Sequence, residues 1–217
     1  MVINKKLTTF ILLTCLLYIS TSIGEYVIHK YMMHNYNLNK SSITNHIRHH
    51  DDVNYDMTLS KKHQNEDLYF DLISTIVLFA LIYVIYYIII KSVFGYNKSY
   101  IFIIILSAFV ALLYKVAWDH LHYRFHMFHK IPYNTWNKYE KITFHNHAYH
   151  HLQKGIKKGN YCIIFLGADH LFKSFNTCID NREFCKKNYH KVSKNIKTLC
   201  DYEKQKKQLP NEIKFCN

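Results

Sequence analysis

The chain has 217 residues, enough for one domain with a sizeable core, and its five Gly and two Pro leave little material for linkers. Hydrophobic residues make up 49% and aromatic residues 16%, and the apolar ones gather into a few long runs, as they do in membrane proteins. The net charge of +13 admits nucleic acid or anionic lipid as a partner; its concentration in a Lys-rich tail with few aromatic residues and no nucleic-acid-binding motif excludes the first.

In chain order, three runs have the length of a bilayer crossing: 7–28, 71–90 and 100–118. Positions 72–90 and 101–114 carry no charge, whereas Thr8, Thr9, Thr14, Ser20, Thr21 and Ser22 dilute the first run. A secretory signal peptide is the rival reading of that run, with Lys5 and Lys6 as its basic start and Ser22-Ile23-Gly24 as a cleavage site. The pattern nevertheless continues unbroken through Glu25 to His29, as one helix would.

Three crossings put 29–70 and everything after 118 on one side of the membrane and 91–99 on the other. Lys30, Lys40, Arg48, Lys61, Lys62 and the basic tail predict that the first side is cytosolic, although Lys5 and Lys6 argue mildly the other way. The six cysteines show no C-x-x-C pair, and on a reducing side they read as free thiols rather than disulfides. The expected fold is all-α: an integral membrane helical bundle over 1–175 with a cytosolic histidine-lined metal site, followed by a basic cytosolic tail over 176–217.

Sixteen histidines are the feature that composition does not explain, since imidazole is the commonest protein metal ligand. Four clusters stand out: His29 with His34; His46 with His49 and His50; His122 with His126; and His147 with His150 and His151. Two follow the first apolar run and two follow the last. Residues three and four apart share a helix face, so the rings within each of the last three clusters can point at a common centre. His29 and His34, five apart, are rotated by roughly 140° on an ideal α-helix, which calls for a π-type turn, a helix end or two different metals.

Ten imidazoles exceed what one tetrahedral zinc uses, and two ions are the natural count. Imidazole suits Zn, Cu, Fe and Ni alike, so the ligands alone do not name the metal. Glu25, Asp51, Asp52 and Asp119 are spaced to orient ring N–H groups from behind the ligands. His63, His170 and His190 match no cluster, and His120, His129 and His145 are spare imidazoles around the third and fourth.

The order H-x4-H, H-x2-H-H, H-x3-H, H-x2-H-H resembles the fatty acid hydroxylase and sterol desaturase superfamily over roughly residues 7–172. Glu25 to Lys30 and Asp119 to His126 look like the fatty acid 2-hydroxylase forms of these boxes. His29 to His34, the Asn65-Glu-Asp-Leu-Tyr69 stretch, the single crossing before the first box and the 160–167 stretch look like β-carotene hydroxylase. The 35–45 spacer is longer than is usual in the latter.

The resemblance implies two iron ions held by the ten histidines, with zinc possible in purified protein, and no catalytic residue beyond the ligands. It implies oxygen-dependent hydroxylation of a lipid C–H bond, with desaturation as the alternative outcome. Electrons would come from an external cytochrome or ferredoxin, and the location would be the endoplasmic reticulum if the source is eukaryotic. A histidine-rich metal transporter or sensor is the reading from another class; it predicts ionisable or thiolate groups inside the crossings, whereas 72–90 and 101–114 of the second and third carry no charged residue. The short apolar stretch 161–166 is either an interfacial segment lining a substrate entrance or plain core.

Overall fold

A computed structural model of the chain describes residues 5–40, 45–54, 57–60, 68–94, 100–127, 135–152 and 158–176. The basic tail, His63, His129 and His190 lie outside them. The described residues form helices and connecting segments, with one isolated antiparallel bridge, Val53 to Leu59, and no strand.

Helix α1 spans Lys5–Val27 and runs on through a π-helical turn, Ile28–Met33. Two short helices follow, α2 (Tyr36–Lys40) and α3 (His46–Asp52). Helices α4 (Leu72–Phe94) and α5 (Tyr100–His126) make the hairpin, and α6 (Lys138–Leu152) and the single turn α7 (Ala168–Leu171) complete the order. Three segments are long and apolar enough to cross a membrane: Ile11–Met33, Leu72–Ser92 and Tyr100–His126. The third helix does not stop at position 118; it continues to His126, so the third histidine cluster lies on the helix itself.

Sequence spacing explains the packing. On α4 the buried positions Ser74, Leu78, Ile82 and Tyr86 recur every four residues, and on α5 the buried set Ile103, Ser107, Val110, Ala111, Tyr114 and Trp118 recurs every three or four, so each helix turns one stripe to its neighbours. The opposite faces are also apolar: Ile76, Val84 and Ile88 on α4 and Ile101, Ile105, Phe109 and Val116 on α5 are exposed. Exposed apolar surface on this scale suits a lipid environment better than water. Asp71 caps α4, its carboxylate accepting the Ser74 N–H and hydroxyl at 2.7 Å each.

Helix α1 meets α4 at Gly24, where a Cβ would stand 2.7 Å from Leu78 Cδ1. Gly24→Ala is therefore expected to overpack the contact and cost about 1–3 kcal/mol. In thermal unfolding of detergent-solubilised protein, the Gly24→Ala/Leu78→Ala double variant should be less destabilised than the sum of its parts; strict additivity would mean that the two residues do not meet.

Candidate metal centre

All ten cluster histidines are brought together at one end of the bundle, in two groups of five. His29, His34, His46, His50 and His150 form site A, and His49, His122, His126, His147 and His151 form site B; within each, one nitrogen per ring lies within 4.8 Å of all the others. The sites are neighbours, with the rings of His50 and His151 4.1 Å apart.

Helix geometry explains the division. On α3 and α6, residues four apart are offset by about 40°, while the intervening i+3 residue falls about 60° to the other side. His46 and His50 thus serve site A while His49 turns to site B, and His147 and His151 serve site B while His150 turns to site A. This differs from the expectation that each H-x2-H-H cluster faces a single centre. The two clusters straddle the sites and tie them together.

The H-x4-H cluster is resolved by the π-helical turn. The His34 N–H donates to the His29 carbonyl, five residues back, at 3.2 Å, and in that geometry five residues make roughly one turn. Both rings then fall on one face, with centroids 5.1 Å apart.

The ring nitrogens fix what the groups can bind. His29 Nδ1 lies 2.5 Å from the Tyr161 carbonyl, His150 Nδ1 2.7 Å from the Gly159 carbonyl, His122 Nδ1 2.8 Å from the Leu68 carbonyl and His126 Nδ1 3.0 Å from the Met57 carbonyl. A carbonyl only accepts, so each of these Nδ1 atoms carries the hydrogen and each Nε2 keeps its lone pair. The inward nitrogens converge: Nε2 atoms stand 2.8 Å apart for His29 and His46, 3.0 Å for His34 and His150, and 2.9 Å for His126 and His147.

With a ring of the partner tautomer such a gap closes as an Nε2–H to Nε2 hydrogen bond; with every ring carrying its hydrogen on Nδ1, the facing lone pairs make a place for a cation. Ligands at about 2.1 Å from one ion are about 3.0 Å apart at right angles and about 3.4 Å apart in a tetrahedron. The five donors in each group exceed the four that a tetrahedral zinc ion uses. Two buried histidine groups able to hold metal ions are thus present, consistent with a di-metal site.

Burial holds the imidazoles of His34, His46, His50, His147, His150 and His151 well below their ordinary titration range, and nearby rings push the same way. The Lys158 ammonium, 3.2 Å from His50 Nδ1, adds to the shift at His34, His50, His147 and His150. Neutral imidazole is the form that binds metal.

The four carboxylates do not hold the rings as expected. Glu25 accepts three backbone N–H groups, from Ile163 (2.6 Å), Ile164 (2.7 Å) and Phe165 (2.7 Å). Asp119 accepts the Phe70 N–H and the Lys115 ammonium, both at 2.7 Å. Asp51 is exposed and Asp52 half-buried on α3, and neither is bonded to an imidazole among the described residues. Backbone carbonyls take that place. A carbonyl has no residue identity, which is why the sequence did not reveal them.

The sequence also missed Asp169, buried, which accepts the Tyr161 N–H (2.9 Å) and Cys162 N–H (2.7 Å) and so helps to carry the carbonyl that holds His29. Of the spare histidines, His120 is exposed and His170 is exposed and stacked on Phe175. Half-buried His145 belongs to neither group; burial first and Lys141 second push it down to about 3. Tyr161, Cys162, Ile163 and Ile164 are buried, so this part of the 161–166 stretch is core rather than an open entrance.

No protein-family model matches the chain, no curated protein matches it, and no solved structure matches it.

Two predictions concern the metal and the pH. His46→Ala should remove the ion of site A and His49→Ala that of site B, each leaving close to one metal per chain by elemental analysis. In metal-stripped protein the fold keeps these rings neutral, while the unfolded chain takes up protons below about pH 6.5. Stability is therefore complete above that value and declines as pH falls towards the depressed native values; urea unfolding between about pH 8 and about pH 5 should show this trend, and bound metal should raise stability throughout without removing the decline.

Proposed function

We propose that this protein is a membrane-embedded, dioxygen-dependent di-iron enzyme that hydroxylates a C–H bond of a lipid, a fatty acyl or sphingolipid chain or a carotenoid. The observation that carries the reading is the pair of five-nitrogen groups, built from four interleaved clusters, at the end of an apolar helical bundle. Imidazoles without thiolates suit a redox-active iron pair exposed to dioxygen, and the order of the clusters resembles the fatty acid hydroxylase superfamily.

Two irons held by the ten histidines would supply dioxygen activation of the strength that an unactivated C–H bond requires. Overall, one oxygen atom enters the C–H bond and the other leaves as water, with two electrons and two protons supplied from outside. A separate cytochrome or ferredoxin is the proposed electron donor. The chain's own contribution is to present neutral rings, exclude water through their burial, and place them beside apolar helices along which a lipid chain can lie.

The metal end is proposed to face the cytosol, because Lys30, Lys40 and Arg48 lie on that side; in a eukaryotic cell the membrane would be the endoplasmic reticulum. Desaturation uses the same oxidant and is the alternative outcome. Metal transport fits less well, since the donors collect at one end of the bundle rather than along it.

Expression in one host that makes β-carotene and another that makes sphingolipids, with mass spectrometry of the lipids, tests the reading. A gain of one oxygen in either lipid class is expected. His50→Ala and His151→Ala should abolish it; product retained in those variants would rule the di-metal mechanism out.

A further inference from the structure

We infer that Glu25 and Asp119 are positioning residues, each for one of the two sites, acting on a metal-binding ring through a strip of backbone rather than by touching it. The inference rests on the ten histidines holding metal and adds how the two halves of the centre are kept in place.

The two arrangements are parallel. Glu25 lies one turn before His29 on the first helix, and Asp119 one turn before His122 on α5. Glu25, buried, gathers the N–H groups of Ile163, Ile164 and Phe165 at 2.6–2.7 Å. Two residues before that strip, the Tyr161 carbonyl accepts the Nδ1–H of His29 at 2.5 Å. Asp119 takes the N–H of Phe70 at 2.7 Å and, with Lys115, closes a clip on that residue, since Lys115 Nζ donates to the Phe70 carbonyl at 2.8 Å. Two residues before Phe70, the Leu68 carbonyl accepts the Nδ1–H of His122 at 2.8 Å.

In both cases carboxylate and ligand leave the same helix a turn apart and grip the same crossing strand at two points. The strand's register against the helix is fixed by the carboxylate, and the carbonyl facing the ring is fixed by the register. A carboxyl group offers two oxygens with several lone-pair sites, so one side chain can gather several backbone N–H groups at once.

Other groups also hold each strip, Asp169 from the strip's own segment and Ser22 and Lys115 from the same helices as Glu25 and Asp119, and they provide further handles. On the site A strand, Asp169 receives the N–H groups of Tyr161 and Cys162, and Ser22 donates to the Phe165 carbonyl at 2.6 Å while accepting the Ala168 N–H at 2.9 Å. On the site B strand, Lys115 is the second grip. Glu25 and Asp169 belong to site A alone, and Asp119 and Lys115 to site B alone.

The test is a crossed comparison in the full chain, solubilised in detergent and loaded with cobalt(II), whose visible absorption reports each site. His29→Ala and His122→Ala provide the reference spectra with site A or site B removed. Glu25→Gln should weaken one of the two cobalt ions by about 10–100-fold, the usual range for an outer partner of a metal ligand, and leave the spectrum of the His29→Ala protein. Asp119→Asn should do the same and leave the spectrum of His122→Ala.

Asp169→Asn, which acts on the site A strip from its own segment, and Lys115→Met, which grips Phe70 from the same helix as Asp119, should repeat the site A and site B patterns and stand in should a carboxylate variant fail to fold. Wild-type affinity for both ions in the carboxylate variants, loss of both ions together, the opposite pairing, or unfolding of both handles on a strand would each overturn the inference. Failure of the wild-type protein to bind two cobalt ions would instead overturn the metal reading on which it rests.

Discussion

The centre depends on a hydrogen bond that leaves the metal-facing side of the ring untouched: the one from an imidazole Nδ1 to a backbone carbonyl. Because the carbonyl cannot donate, it decides which nitrogen is protonated and turns the opposite lone pair inward. His29, His150, His122 and His126 are held this way, two in each site. With these lone pairs aimed inward, each of the four rings offers an Nε2 acceptor that a partner ring's Nε2–H or a cation can meet. Burial keeps the rings neutral, the form in which each has one nitrogen free to bind a metal.

The interleaving of clusters follows from the mismatch between helical spacing and a pair of adjacent targets. A cluster of the form H-x2-H-H cannot aim three rings at one point as readily as it can aim two, because the middle ring falls to the other side of the pair. Helices α3 and α6 both use that divergence, one giving two rings to site A and one to site B, the other the reverse. Each site therefore needs both helices, and neither assembles before the chain has brought residues some 100 positions apart into contact. The contact of His50 and His151 at 4.1 Å is the seam between them.

The bundle gives this polar centre an unusual setting. Helices α4 and α5 bury one stripe and leave apolar side chains bare on the other, which suits lipid as a solvent. The third apolar helix continues past its hydrophobic run to carry His122 and His126, so the centre sits directly against the apolar part of the molecule. That adjacency is the physical basis of the proposed oxidation of a lipid.

The sequence by itself determined the helical class, the three long apolar segments and the identity of all ten converging imidazoles, because apolar run length and the 3–4 residue repeat are local properties of a chain. It also posed the problem of His29 and His34, whose five-residue spacing required a departure from the α-helix. Only the tertiary structure decided that this departure is a π-helical turn, that the rings divide five and five, and that His49 and His150 cross to the opposite site from their cluster mates. It likewise decided that Glu25 and Asp119 reach backbone N–H groups instead of rings, and that carbonyls of Met57, Leu68, Gly159 and Tyr161 take the place expected of carboxylates. Those features depend on which backbone strand passes behind each ring, a long-range matter of chain path, and a main-chain carbonyl is the same at every position in the sequence.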